Sequence, residues 1–149
     1  MKIKFKKMRE GAIIPTFGND DATNAGIDLY AWSPRKILII DPGESKIIDT
    51  GVAWEPVGGC KYAMIIQSRS GMAFKQGLEA SNAGVVDHSY RGSIMVKIYN
   101  NSKVEQVIEH GDRIAQGVVH LLPFVDAIEE ADTLTDTIRG PDGFGSSGR

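Results

Sequence analysis

Cysteine, histidine and long apolar runs are scarce in this chain of 149 residues. The single cysteine, Cys60, cannot form an intramolecular disulfide, which suits a reducing compartment. The histidines at 88, 110 and 120 lack the spacing of metal ligands. No apolar run approaches the roughly 20 residues of a membrane span, and the first residues contain no apolar signal-peptide segment. We therefore expect a cytoplasmic protein without a membrane partner.

An excess of charge of one sign is also missing. The formal net charge is -2 at pH 7, so bulk electrostatics do not favour binding to nucleic acid. We expect no nucleic-acid partner. An anionic ligand would have to be met by locally placed arginines.

Helical periodicity is almost absent, whereas short β-rich runs recur between turn residues, and this pattern predicts an all-β sandwich or barrel. Residues 45–54, 61–67, 93–100 and 112–122 are predicted strands, and 70–76 is the only plausible helical turn. Both faces of 93–100 carry apolar groups, which predicts a sheet covered on both sides: Ile94, Val96 and Ile98 on one face, Met95, Lys97 and Tyr99 on the other.

The composition changes twice near the C-terminus. We predict one β-body over residues 1–124, an acidic connector over 125–138 and a flexible arm over 139–149. The arm combines four glycines with Arg, Phe and paired Ser, which suits closure over an anionic ligand, although a disordered tail has a similar composition. Its match to G-x-G-x-x-G at 143–148 is spurious because no helix can follow it.

Two segments place polar groups where they need partners. Asp28 lies in the otherwise apolar run 25–31, so it is either a buried, partnered carboxylate or an Asp in a turn at a strand edge. In 68–73, Arg69 and Ser70 stand at a predicted helix start. They form either an anion site or a simple N-cap at Ser70.

Residues 81–92 have the pattern of a hairpin that carries a candidate base. Asp87 could accept a proton from water, Tyr90 could form the wall of a sugar pocket, and backbone near Gly84 could approach a base edge. Alternatively, Asp87 caps its own turn. His88 beside Asp87 does not indicate a catalytic triad, because neighbours in sequence do not point at one another.

A further segment, 111–117, begins the last long strand. Gln116 shares a face with Ile114 and Val118 in a mostly apolar run, so its amide needs a partner. That partner is either a ligand or neighbouring backbone.

Taken in order, these segments resemble the five motifs of the trimeric dUTP pyrophosphatases (dUTPases). The matching stretches are Ala-Gly-Ile-Asp-Leu-Tyr-Ala at 25–31, Arg-Ser-Gly at 69–71, Gly-Val-Val-Asp-His-Ser-Tyr-Arg-Gly at 84–92, Gly-Asp-Arg-Ile-Ala-Gln at 111–116 and Arg-Gly-Pro-Asp-Gly-Phe-Gly-Ser-Ser-Gly at 139–148. The resemblance runs from about residue 25 to the C-terminus. It implies a jelly-roll, or distorted β-barrel, assembled as a homotrimer whose three active sites are shared between subunits and closed by the mobile arm.

The resemblance implies a hydrolase of nucleotide metabolism that converts dUTP to dUMP and pyrophosphate. Asp87 would activate the water that attacks the α-phosphorus. Mg²⁺ would be held by the substrate phosphates, and Asp28 would contact the waters of the ion without binding it directly. The implied substrate-binding residues are Arg69, Ser70, Gly71, Asn82, Gly84, Val85, Val86, Tyr90, Met95, Gln116, Arg139, Phe144, Gly145, Ser146 and Ser147.

Within this set the roles differ. Arg69, Ser70, Gly71 and Gln116 would contact phosphates, Arg139 would clamp the γ-phosphate, and Phe144 would stack on uracil. Many relatives have Asn six residues before the catalytic Asp. Here that position is Ser81 and the next is Asn82, so either residue could take the role.

Two other functions remain open at the level of sequence. One is a dCTP deaminase on the same fold, although those enzymes usually lack the arm with its Phe. The other is a nucleotide-dependent regulatory or binding protein, although no inserted segment offers a platform for a partner.

Overall fold

The computed structural model describes residues 1–18, 23–34, 37–81 and 84–141, and within these ranges it contains twelve strands and one short helix. The all-β prediction is therefore confirmed. In chain order the elements are β1 Lys2–Lys7, β2 Thr16–Phe17, β3 Gly26–Tyr30, β4 Leu38–Ile40, β5 Ser45–Asp49, β6 Val52–Val57, β7 Lys61–Gln67, α1 Ser70–Gln76, β8 Leu78–Ala80, β9 Val85–Val86, β10 Met95–Asn100, β11 Gln106–Ile108 and β12 Arg113–Leu122.

The strands form four open sheets. The largest has the order β2-β3-β12-β7-β9, with β12 at its centre between β3 and β7. The others are β5-β10-β8, β1-β6 and β11-β4. In the described part of the chain these sheets do not close on themselves, so the expectation of a barrel is wrong in this respect. The pairings are antiparallel throughout.

The core lies between the sheets and is filled by apolar side chains from almost every strand, among them Leu29, Ile48, Trp54, Met64, Ile98 and Ile114. β10 shows the predicted alternation, because Val96 and Ile98 are buried while Met95 and Lys97 are exposed. The outer face was expected to be covered as well. In the single chain it is not, since Met95 is 48% exposed and Ile47 on the neighbouring β5 is 66% exposed.

The predicted strand over 45–54 is two strands. The chain turns at Gly51, which has a φ of 70° that favours glycine. Thr50 and Val52 both bond to Ile94: Thr50 N–H donates to the Ile94 carbonyl, and Ile94 N–H donates to the Val52 carbonyl. β6 then continues through Pro56, a residue type that usually interrupts a strand. Pro56 is tolerated because β1 is the only strand that pairs with β6 in the described residues.

The predicted hairpin over 81–92 is wrong. β9 pairs with β7, whereas β10 pairs with β5 and β8 in a different sheet. Residues 87–94 therefore carry the chain from one sheet to another, and this connection is longer than a tight hairpin turn.

Beyond β12, the described residues 123–141 contain neither strand nor helix. Large apolar side chains in this stretch are exposed, with Phe124 at 75% and Ile128 at 97%. The only helix among the described residues, α1, has seven residues and is far too short to cross a membrane.

Asn100 is a fully buried polar side chain that joins three parts of the fold. Its Nδ2 donates to the carbonyls of Ile40 and Val104, each at 2.8 Å. Its Oδ1 accepts from the backbone N–H of Ser102 at 3.0 Å and from the Ser102 hydroxyl at 2.7 Å. Three of these bonds lie within residues 100–104, after β10, and the fourth reaches β4. The side chain therefore fixes the loop between β10 and β11.

Replacing Asn100 with Ala should lower the free energy of unfolding by about 2–4 kcal/mol, because it leaves buried backbone groups without a partner and creates a cavity. Urea denaturation of the variant measures this loss. The exposed neighbour Asn101, whose side chain makes no described hydrogen bond, is the matched control, and Asn101→Ala should change stability by less than about 0.5 kcal/mol. Equal effects of the two substitutions would contradict the role of Asn100.

Candidate active site

The carboxylate of Asp28 is buried between two arginines. Asp28 lies in β3, which pairs with β2 and β12, and it is 6% exposed. Its Oδ1 accepts from Nε of Arg69 at 2.9 Å, and its Oδ2 accepts from a terminal nitrogen of Arg113 at 3.3 Å. Of the two expectations for Asp28, the partnered carboxylate is confirmed and the Asp in a turn is wrong. The pairing removes the cost of burying an isolated charge.

These side chains line a cavity of about 390 Å³, which we call the phosphate cavity after the ligand that the sequence resemblance implies. The described residues around it are Gly18, Asn24, Ala25, Gly26, Asp28, Arg69, Ser70, Gly71, Arg113 and Gln116. Two guanidinium groups face one carboxylate, so this set carries a net positive charge. Each guanidinium has five N–H donors, of which Asp28 uses only one or two. The cavity can therefore accept an anion.

The start of α1 forms one side of the phosphate cavity. The helix spans Ser70–Gln76 as predicted, and Gly77 ends it with a φ of 68°. The predicted N-cap at Ser70 is wrong, because Arg69 occupies the cap position and no side chain caps the helix. The Ser70 hydroxyl is not engaged in capping, and the first backbone N–H groups of a helix have no partner within it.

Gln116 reaches the same cavity from β12. Its Nε2 donates to the carbonyl of Ser68 at 3.0 Å, so neighbouring backbone supplies the partner that the sequence required. Gly26 lies beside it on β3, and a Cβ at that position would come within 2.5 Å of the Gln116 side-chain oxygen. Glycine at 26 therefore leaves room for the amide to lie across β3.

A second cavity has a volume of about 180 Å³, and we call it the nucleoside cavity after the ligand part that the sequence resemblance implies. Its described residues are Ile66, Gly84, Val85, Val86, Asp87, Tyr90, Ile94 and Met95. Six sequence-predicted residues lie here together. Among the described residues, none lines both cavities.

The polar edge of the nucleoside cavity is backbone from β9. Ile66 N–H donates to the Gly84 carbonyl at 2.7 Å, and the register pairs Ile65 with Val85. Residues of an antiparallel pair alternate between bonding to the partner strand and pointing away from it. Val85 therefore directs its N–H and C=O away from β7. Since β9 is the last strand of its sheet in the described residues, Val85 offers one donor and one acceptor at an open edge.

Asp87 follows β9 and has an exposed side chain. Its backbone carbonyl accepts from Nε1 of Trp54 at 3.2 Å and from the N–H of Tyr90 at 3.1 Å. The turn is thus closed by the carbonyl of Asp87, so the alternative of a self-capping Asp side chain is wrong. Within the described residues the carboxylate itself makes no hydrogen bond or ion pair, which leaves it available to a water.

The remaining predicted residues are distributed as follows. The Tyr90 hydroxyl donates to the Ser93 carbonyl at 3.0 Å, which fixes the ring at the cavity wall. His88 is not part of a triad, because its Nδ1 accepts from the backbone N–H of Tyr62 at 3.2 Å.

Arg139 is exposed in the stretch beyond β12. Five predicted residues lie outside the described part of the chain: Asn82, Phe144, Gly145, Ser146 and Ser147.

Sequence reasoning missed two residues: Arg113, which lines the phosphate cavity, and Trp54, which donates to the carbonyl of Asp87. Arg113 stands out in the sequence only as part of the segment 111–117, although an Arg in a strand that also carries Gln116 could have indicated a second cation. Trp54 lies in β6, 33 positions before Asp87, and nothing in the sequence links the two.

Comparison with known proteins gives a consistent result. The family model described as dUTPase matches residues 12–148. The deoxyuridine 5'-triphosphate nucleotidohydrolase of Nautilia profundicola is 43% identical, with 100% of both chains covered, and that of a Hydrogenobaculum species is 40% identical, with 99% of both covered.

Solved structures agree with this result. A variant of the Staphylococcus bacteriophage 80alpha dUTPase with dUpNHpp has a TM-score of 0.79 and 25% identity, with 99% of each chain covered. A dUTPase from phage phi11 of S. aureus, in a structure that concerns a structural Mg(II) ion, has a TM-score of 0.71 over 89% of this chain and all of its own. At 24% identity, this last match carries the fold alone. By its family match and by relatives aligned along its whole length, the chain belongs to the dUTPase family.

Proposed function

We propose that the chain hydrolyses the acid anhydride of dUTP to give dUMP and pyrophosphate. The observation that carries the proposal is the contrast between two carboxylates. Asp28 is neutralised by Arg69 and Arg113 in a cavity suited to phosphates, whereas Asp87 is uncommitted beside the outward backbone edge of Val85. One supplies a binding site for a polyanion, and the other supplies a base for water.

The phosphate cavity would bind the triphosphate. Unused guanidinium N–H groups of Arg69 and Arg113, together with Ser70 and Gly71, would donate to phosphate oxygens. Gln116 would add a contact near the α-phosphate. From the arm, Arg139 would clamp the γ-phosphate, and Gly145, Ser146 and Ser147 would cover the phosphates.

The nucleoside cavity would select uracil. Uracil has an acceptor at O4 and a donor at N3, which match the donor and acceptor of Val85. Cytosine reverses both, so it would leave two unpaired groups at a cost of roughly 1–3 kcal/mol each. Gly84, Val86 and Met95 would pack around the base, Tyr90 around the sugar, with Asn82 nearby and Phe144 stacked from the arm.

The complete site would form between subunits of a homotrimer. The phosphate and nucleoside cavities have no described lining residue in common, and each contains only part of what dUTP needs. The exposed apolar side chains of Met95 and Ile47 offer surface for such an assembly. The β-body 1–124, the connector 125–138 and the arm 139–149 would then serve as scaffold, link and closing segment.

Asp87 would act as the general base. Its carboxylate takes a proton from a water, whose oxygen forms a bond to the α-phosphorus. The bond from that phosphorus to the bridging oxygen breaks, and pyrophosphate leaves with the electron pair. Positioning and charge neutralisation supply most of the rate enhancement in such displacements.

Magnesium fits this arrangement as an ion carried by the substrate phosphates. Within the described residues, no group of three or more His, Cys, Asp and Glu side chains is arranged to hold a metal. Asp28 accepts from two guanidinium groups, yet each of its oxygens keeps a second lone pair that can accept from a metal-bound water. When bound, Mg²⁺ would neutralise phosphate charge.

The alternatives differ in product. The named relatives are all deoxyuridine triphosphate nucleotidohydrolases, so neither a dCTP deaminase nor a purely regulatory protein has support among them. Incubation with Mg²⁺ and either dUTP or dCTP decides between the enzymes by whether dUMP or dUTP appears.

The lone, exposed Cys60 suits the reducing cytoplasm as the place of action.

Asp87→Asn should lower kcat by about 10²–10⁴-fold, the usual contribution of a general base. The dUTP analogue dUpNHpp should bind the variant with nearly unchanged affinity. Release of pyrophosphate and titration calorimetry measure the two quantities. Asp41→Asn, in an exposed turn after β4, is the control and should keep full activity. Unchanged turnover in Asp87→Asn would remove Asp87 from the mechanism.

Arg113→Gln should weaken dUpNHpp binding about 10- to 100-fold, because a charge-assisted hydrogen bond contributes roughly 1.5–3 kcal/mol. Deoxyuridine, which lacks phosphates, should bind the variant as it binds the wild type. Lys103→Gln removes the same charge from an exposed loop and should affect neither ligand. A similar loss for both ligands in Arg113→Gln would show that Arg113 only supports the fold.

Deleting residues 139–149 should leave the melting temperature and the sedimentation of the assembly unchanged but reduce dUTP hydrolysis by at least about 100-fold, because the donors that close the site are lost. Thermal unfolding, ultracentrifugation and a pyrophosphate assay test this. Full activity of the truncated chain would exclude a catalytic role for the arm.

A further inference from the structure

We propose that His88 is a positioning residue for Asp87 and that it performs this role only as a neutral imidazole. The inference rests on the proposed dUTP hydrolysis. It concerns a side chain that faces away from the substrate groups, because the ring contacts Tyr62 on β7 and His88 lines neither cavity.

The position of the Asp87 carboxylate depends entirely on its backbone. In the described part of the chain the carboxylate touches no donor, so nothing holds the side chain directly. The turn is held instead at the carbonyl of Asp87, which accepts from Trp54, and at the residue after it. Any loosening of the turn therefore moves the base.

His88 attaches this turn to the largest sheet. Its Nδ1 accepts from the backbone N–H of Tyr62 at 3.2 Å, and its ring stacks on Tyr62 with centroids 6.5 Å apart. Tyr62 is fixed in β7, where it pairs with Leu121 of β12. The carbonyl of His88 accepts from the Arg91 guanidinium at 2.7 Å, so both ends of the residue are bound.

The contact requires one protonation state. Nδ1 can accept only when the ring proton is on Nε2, whereas an imidazolium has two donors and no acceptor. Protonation would set the Nδ1–H of His88 against the backbone N–H of Tyr62, so this hydrogen bond would be lost. Histidines commonly change charge between about pH 5 and pH 8.

The charged and titratable neighbours are few. From β7 the Tyr62 phenol faces the ring, with the Cys60 thiol next to it. From its own turn, Arg91 binds the carbonyl of His88, and Asp87 precedes it. Desolvation raises the pKa of the Tyr62 phenol, and Cys60 adds to the rise. The phenol therefore stays uncharged over the range from pH 5.5 to pH 8 that the kinetic test covers.

Two substitutions of His88 test separately whether Nδ1 is needed as a hydrogen-bond acceptor and whether protonation of the ring lowers kcat. His88→Asn keeps an acceptor near the position of Nδ1 but cannot be protonated, and His88→Leu removes the acceptor. In the wild type, kcat should fall about 10- to 100-fold between pH 8 and pH 5.5, the scale expected when a catalytic group is misplaced. His88→Asn should retain most of kcat at pH 8 and lose this fall. His88→Leu should have a low kcat at every pH, with KM within about twofold of the wild type.

The chain provides a matched control in His110. Its Nδ1 also accepts from a backbone N–H, that of Ser33 at 3.3 Å, and it lines neither cavity. His110→Asn should leave the pH profile of kcat unchanged. If His110→Asn flattens the profile as His88→Asn does, the effect is general to the fold and the proposal is wrong.

A measurement without turnover complements the kinetics. Nitrogen NMR of the ¹⁵N-histidine-labelled protein should show His88 with an unprotonated Nδ1 at pH 8, even if His88→Leu fails to fold. A proton on Nδ1 at that pH, or the same acid fall of kcat in wild type and His88→Asn, would overturn the role of His88 while leaving hydrolysis intact. Wild-type protein that does not hydrolyse dUTP would overturn the proposed function, and the role of His88 with it.

Discussion

Burial of the Asp28 carboxylate between two guanidinium groups connects elements that are far apart in the chain. Arg69, just before α1, is 41 positions from Asp28, and Arg113, at the start of β12, is 85 positions away. Removing one partner from a buried ion pair of this kind lowers stability strongly, because the remaining charge stays buried without full compensation. The same contacts orient both arginines along the wall of the phosphate cavity. One set of atoms would therefore meet both a structural requirement and the proposed requirement for phosphate binding.

The surroundings of the Asp87 carboxylate are the opposite of those of Asp28. Asp87 is exposed, and its carboxylate has no partner in the described residues, whereas its backbone is fixed by Trp54 from β6 and through His88 by Tyr62 from β7. A base must be free to accept a proton yet held in place, and these demands conflict within one side chain. Here the backbone carries the positioning and the side chain keeps its capacity to accept. This division makes the contacts of the turn as important as the acid they carry.

The chain also separates the residues proposed to bind phosphates from those proposed to bind uracil. The phosphate cavity is built at the junction of β3, α1 and β12, and the nucleoside cavity at the free edge of β9. Each has the chemistry for one part of a nucleotide, arginines for the anion and an open strand edge for the planar donor and acceptor pattern. Division between two cavities that share no described residue is the physical reason for proposing that subunits combine to form the site.

Much of this could be predicted from sequence because the relevant patterns are local. Short β-rich runs between turn residues identified β7, β10 and β12, and the short helix over 70–76 was predicted at its observed bounds. The order of the five motifs identified the family. Pairing could not be predicted in the same way: β9 pairs with β7 and not with the strand after it, and Pro56 continues a strand because β6 has one partner in the described residues. The sequence alone thus determined β7, β10 and β12, the short helix, the family and most of the candidate residues. Only the tertiary structure decided that Arg113 joins Asp28, that Val85 faces an open edge and that His88 binds β7, because these depend on contacts between distant segments, which no local pattern encodes.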